Sequence, residues 1–308
     1  MNKIQHWSAI GSFVIASAII GGPAEADDMG GAIGVDLGLG ELATINGTTG
    51  DDVLNGTAEN DVLNGGDGMD TLNSLSDAST DELYGGAGMD NLVSGGGPTK
   101  MDGGADLADI ATYTSSPSGV QVNLASGQGS GGYAQGDTLV NIECVRGSNF
   151  NDNIVGDGGV NAIFGGSGDD LLIGGGNIDI LQGEAGNDLI LGSEGADRLS
   201  GGDGNDTFRC GLSSESTSTA MDTISDFGFG ADKLSLWFMT VNKVKNYGTL
   251  ATLDNAQLGT SDPNKLGPNE VGYAVDSGAT FIRCGADANF RLKLDGYTGG
   301  LTTTHFVQ

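Results

Sequence analysis

From residue 147 to residue 209 the chain repeats every nine residues without an insertion, in seven blocks that begin at Gly147, Gly156, Gly165, Gly174, Gly183, Gly192 and Gly201. The eighth position of each block is apolar: Ile154, Ile163, Leu172, Leu181, Ile190, Leu199 and Phe208. A six-residue Gly-rich turn followed by x-apolar-x predicts a three-residue strand with a single inward side chain. Two such units make one coil of about 18 residues, so residues 18 apart stack at the strand spacing of roughly 4.8 Å. The sequence therefore predicts an all-β, right-handed parallel β-roll, a β-solenoid, rather than a fold around one large apolar core.

An earlier array follows the same grammar from Gly47, Gly56 and Gly65 and, after the extra Ser74 and Leu75, from Ser76 and Gly85. Residues 94–111 depart from it, with Pro98 and Lys100 where Gly or Asp is expected, and an irregular coil is predicted there. Between the arrays, Gly119 to Leu124 alternates like a strand, Ser126 to Gly132 is a Gly/Ser loop, and Leu139 to Val145 leads into the second array, so a spacer strand pair is expected. Beyond Cys210 the repeats stop, and Asp222 to Trp237 reads as alternating strands that close the stack. The predicted organisation is a signal peptide (1–26), a lead-in (27–46), a first array (47–111), spacer strands (112–146), a second array (147–209) and a small C-terminal β cap (210–308). The signal peptide rests on Lys3, an apolar run from Trp7 to Ile20 and the small-x-small site Ala24-Glu25-Ala26. The run is shorter than the roughly 20 residues of a spanning helix, so no membrane span is expected and the predicted location is extracellular.

Composition sharpens this picture at one point. With 41 Asp and Glu against 12 Lys and Arg, the chain carries a formal net charge of −29, which disfavours nucleic acid and anionic membranes as partners and favours cations. The acids are periodic, which separates this chain from a disordered acidic tail. They occupy the sixth position: Asp52, Asp61, Asp70, Asp81 and Asp90 in the first array, and Asp152, Asp170, Asp179, Asp188, Asp197 and Asp206 in the second, where Asn161 is the exception. Two carboxylates one coil apart repel by roughly 3 to 4 kcal/mol at an effective dielectric of 20, so such a ladder calls for cations between its rungs. Ca²⁺, with six to eight oxygen ligands and tolerant geometry, suits carboxylates and bare Gly-rich carbonyls, whereas turns without His or Cys disfavour zinc and copper. These eleven aspartates are the candidate ligands for several Ca²⁺ ions, and metal binding is expected to be coupled to folding.

The grammar G-G-x-G-x-D-x-U-x, as in GGSGDDLLI and GGDGNDTFR, resembles the RTX, or hemolysin-type, calcium-binding repeat. Further resemblance lies in SPSGVQVNLASG (from Ser116), in GDTLVNIECVRGSNFNDNIVGD (from Gly136) and in DTISDF (from Asp222). The resemblance covers most of residues 46–236. It implies a right-handed roll, Ca²⁺ held between turns of neighbouring coils, and export before folding. Such proteins leave by an exporter that reads an uncleaved C-terminal signal. The ending from Leu292 to Val307 looks like one, and the N-terminal signal conflicts with that route.

The two histidines, His6 and His305, leave no H-E-x-x-H and no triad base, and no G-x-S-x-G occurs, so no enzyme is predicted. The expected function is a secreted calcium-binding protein with a structural or cell-surface role. An adhesion or glycan-binding module is the alternative, followed by a secreted hydrolase or toxin accessory. Of the three cysteines, Cys144, Cys210 and Cys284, the pair Cys210 with Cys284 is the expected disulfide if one forms. Tyr113, Tyr133, Trp237, Phe238, Tyr247 and Tyr273 fall outside the repeats and are expected to pack the spacer and cap.

Overall fold

A computed structural model of the chain describes residues 43–105, 108–211, 220–236, 243–246, 266, 270–284 and 290–307. The predicted signal peptide, His6, Trp237, Phe238 and Tyr247 lie outside the described residues. Among the described residues the strands form two sheets of 13 strands each, dominated by parallel pairing; along the arrays consecutive strands alternate between them, and the fold is a parallel β-roll. No helix among the described residues is long and apolar enough to cross a membrane.

Register follows the eighth position. In the first sheet Ile154 pairs with Leu172, Leu172 with Ile190, Ile190 with Phe208 and Phe208 with Leu234. In the second sheet Val145, Ile163, Leu181, Leu199 and Ile224 pair in succession. These side chains are at most 1 % exposed and form one continuous core running the length of the roll. Each nine-residue unit contributes one inward apolar residue, because a three-residue strand turns a single side chain to the core. In the first array the extra Ser74 and Leu75 stretch one coil to 20 residues without losing register, so that Leu63 pairs with Leu83 and Leu72 with Leu92.

Three expectations change. Residues 94–111 are not irregular: Thr99–Gly104 and Ile110–Thr112 are strands of the roll, and Met101 and Ala111 are fully buried at the inward position. Pro98 and Lys100 are tolerated because neither occupies that position. The spacer is also more than a strand pair. Gln121–Asn123 and Thr138–Val140 flank a third strand, Gln128–Ser130, which pairs antiparallel with both and interrupts an otherwise parallel run in the first sheet. Finally, Cys210 and Cys284 form no disulfide.

Beyond the arrays, Asp222–Ile224 and Lys233–Leu236 extend the two sheets by parallel pairing. An antiparallel hairpin, Glu270–Asp276 with Ala279–Cys284, then extends the second sheet at its edge, joined to it through Leu292–Asp295. Tyr113 and Tyr273 are buried, and Tyr133 packs against the core.

Candidate metal-binding ladders

Each sixth-position residue ends a turn and starts the next strand, so the turns leading into the first sheet stack along one edge of the roll and those leading into the second sheet along the other. The aspartates on both edges are buried: Asp61, Asp179, Asp197 and Asp206 show no exposure, and Asp52, Asp70, Asp81, Asp90, Asp152, Asp170 and Asp188 show 4 % or less. Burying a carboxylate is costly unless it is compensated, and one of its oxygens is. The backbone N–H of Asp152 donates to Oδ1 of Asp170 at 2.7 Å, that of Asp170 to Asp188 at 2.8 Å, and that of Asp188 to Asp206 at 2.9 Å. On the other edge Asn161 donates to Asp179 and Asp179 to Asp197. The first array repeats this from Asp52 to Asp70, from Asp70 to Asp90 and from Asp61 to Asp81.

The second oxygen divides the aspartates into two kinds. In Asp52, Asp61 and Asp152 it accepts the N–H of the turn's own second residue, Thr48, Thr57 or Ser148, at 2.5 Å. In Asp70, Asp170, Asp179, Asp188 and Asp206 it is buried and receives no hydrogen bond. The difference lies in the turn. Where the second residue takes positive φ, as at Gly166 (113°) and Gly175 (119°), its N–H does not reach the carboxylate. Glu184 (75°), which precedes Asp188, adopts the same hand despite its side chain, at a cost L-residues seldom bear. The first-position glycine has a separate reason. A Cβ at Gly165, Gly174 or Gly183 would collide with Oδ2 of Asp170, Asp179 or Asp188 and crowd the carbonyl oxygen of the next coil's first glycine, Gly183, Gly192 or Gly201. The open carboxylate oxygens thus lie beside backbone carbonyls in space kept clear by glycine.

The electrostatics match. Burial first, and the neighbouring Asp152 and Asp188 carboxylates second, push Asp170 up to about 8. Asp179 is pushed up to about 7, chiefly by burial and then by Asp197. Burial likewise lifts Asp81, Asp188 and Asp206 to about 6 and raises Asp70 and Asp152. A row of carboxylates that resist ionisation, with an orphaned oxygen on Asp70, Asp170, Asp179, Asp188 and Asp206, fits a hard divalent cation, which supplies the missing charge and accepts oxygen donors alone. Among the described residues no three His, Cys, Asp or Glu side chains converge, so the carbonyl oxygens would complete the coordination shell.

The structure extends the ladders beyond the predicted residues. Asp109 accepts from the N–H of Asp90, Asp137 from that of Thr99, Asp222 from that of Asp197 and Asp232 from that of Asp206. Glu143 fills the same place with a longer side chain, its Oε2 accepting from Ala108 and Asp109. The signal that marks the four aspartates is D-x-apolar, two residues before an inward side chain: Ala111, Leu139, Ile224 and Leu234. Asn161 is fitted to its place, since its Oδ1 accepts from Asp157 while its Nδ2 donates to the carbonyl of Glu143. Asp226 closes the last turn by accepting from the Ser200 hydroxyl and from the N–H groups of Gly201 and Gly202.

Two family models match the chain. One, described as Peptidase M10 serralysin C terminal, covers residues 103–257, and the other, described as RTX calcium-binding nonapeptide repeat (4 copies), covers residues 46–80. No curated protein matches significantly.

Proposed function

Because the chain belongs to the serralysin C-terminal family and carries RTX nonapeptides, we propose that it is a secreted protein whose β-roll closes around Ca²⁺ and serves a structural or cell-surface role. RTX repeats bind Ca²⁺, several ions per array, and both matched regions are non-catalytic. The observation that carries the reading is the set of buried, orphaned Oδ2 atoms on Asp70, Asp170, Asp179, Asp188 and Asp206. These five are the ligands proposed first; Asp90 and Asp197 stand on the same ladders, as does Asp81, whose Oδ2 accepts the Ser79 hydroxyl. Asp52 and Asp152 already commit Oδ2 to their own turns and would hold metal more weakly; Asp61 commits Oδ2 likewise but keeps a buried Oδ1 without a donor.

Ca²⁺ outside cells is on the order of a millimolar, matched to the weak, charge-rich sites of extracellular modules. A chain that stays open at low calcium and closes after export would be directional by mass action. No catalytic role is assigned to the described residues.

Equilibrium dialysis of residues 27–308 against Ca²⁺, with an Asp170→Asn, Asp188→Asn, Asp206→Asn triple variant beside it, tests the reading. The reading requires several bound ions in the parent and a loss of two or more in the variant. Equal stoichiometry in the two would remove these aspartates from the site.

A further inference from the structure

The residue just before each ladder aspartate, at the fifth position, differs between the two edges of the second array. On the edge of the first sheet it is Asn151, Asp169, Asn187 and Asn205, and these side chains form a second spine outside the carboxylates. The N–H of Asp169 donates to Oδ1 of Asn151 at 3.0 Å, that of Asn187 to Asp169 at 2.8 Å, that of Asn205 to Asn187 at 3.0 Å, and that of Ala231 to Asn205 at 2.9 Å. The amides add side-chain bonds, from Nδ2 of Asn187 to Asp169 at 2.9 Å and from Nδ2 of Asn205 to Asn187 at 3.1 Å. On the edge of the second sheet the fifth position is Val160, Ile178 and Ala196, whose side chains have no acceptor, and Val160 and Ile178 are 60 % and 53 % exposed. The sixth position on that edge also begins with Asn161 instead of an acid.

We propose that Asn151, Asp169, Asn187 and Asn205 are positioning residues for calcium, so that the second array takes it up in two steps, the first-sheet edge before the second-sheet edge. The inference rests on the calcium reading above. The physical reason is ordering cost. A turn already tied to both neighbouring coils through its fifth residue loses less conformational freedom when an ion arrives. Asp170, Asp188 and Asp206 each follow such a residue, whereas Asp179 and Asp197 follow Ile178 and Ala196.

The test is a Ca²⁺ titration of the full chain followed at individual backbone amides by NMR or hydrogen exchange. The proposal requires residues 170, 188 and 206 to become protected at lower calcium than residues 179 and 197. An Asn187→Ala, Asn205→Ala double variant should raise the first-edge midpoint about three- to tenfold and leave the second edge in place, as expected for the loss of a few hydrogen bonds. The exposed Ile178→Asn, which supplies the missing acceptor, should lower the second-edge midpoint. A single midpoint common to both edges, or an equal shift of both in the double variant, would overturn this inference while leaving calcium binding intact. Absence of calcium binding on either edge would overturn both.

Discussion

Oδ1 of Asp188 accepts the backbone N–H of Asp170 at 2.8 Å from one coil further along, while its Oδ2 is buried with no donor in reach. One side chain therefore does two things. It fixes the register of neighbouring coils, and it presents an unsatisfied anionic oxygen between them. Asp188→Asn keeps the first role through its amide oxygen and removes the charge required for the second. Calorimetry should show roughly tenfold weaker Ca²⁺ binding at this rung with the roll still formed in saturating calcium. Unchanged affinity would show that Oδ2 is not a ligand.

Glycine at the first position makes room for that oxygen. Gly183→Ala places a methyl group against Oδ2 of Asp188 and the carbonyl of Gly201, whereas Gly158→Ala meets nothing within 4 Å. Overpacking of this kind costs about 1 to 3 kcal/mol, so thermal unfolding in calcium should show a clear loss for Gly183→Ala and almost none for Gly158→Ala. Equal effects would refute the steric reading of the repeat.

Protons should substitute in part for calcium. An unfolded aspartate titrates near 3.9, and burial lifts Asp170 to about 8, Asp179 to about 7 and Asp188 and Asp206 to about 6. A raised folded value means that the stabilising contribution is fully present below pH 4 and is lost as pH rises through 6 to 8. In excess chelator, β structure followed by circular dichroism should therefore grow as pH falls from 8 towards 5. A metal-free chain whose β content is flat or falling over that window would contradict the buried ladder.

The C-terminal end of the array depends on Asp226, which accepts three donors from the last turn. Asp226→Ala leaves the N–H groups of Gly201 and Gly202 without this acceptor, a loss of about 1.5 to 3 kcal/mol for bonds to a charged group. Hydrogen exchange at Gly201 and Gly202 should rise first in this variant. Protection equal to that of the parent would mean that the turn is held by other contacts.

Most of the roll was legible because the period is strict: a single inward residue per nine, from Ile154 to Phe208, fixes both strand and register, and the sixth-position acids fall on two edges by arithmetic alone. Legibility failed where the inward residue stayed but the turn changed. Met101 and Ala111 keep the coil through residues that look irregular, Asp137 and Asp222 continue the ladders without the G-G-x-G run before them, and Asp232 follows only its second and fourth glycines, Gly228 and Gly230. The antiparallel strand Gln128–Ser130 was hidden because its pairing partners are set by the spacer's path and not by a period. The split between open and closed carboxylates depends on the φ of the turn's second residue, which no spacing reveals when that residue is Glu184.

The most direct test is far-UV circular dichroism of residues 27–308 in excess chelator, then in Ca²⁺ or equal Mg²⁺ up to a few millimolar at pH 8. A coil-like spectrum that converts cooperatively to β structure with calcium at roughly 0.1 to 1 mM, and not with magnesium, is the predicted result. A chain already rich in β structure in chelator, and indifferent to calcium, would contradict the account.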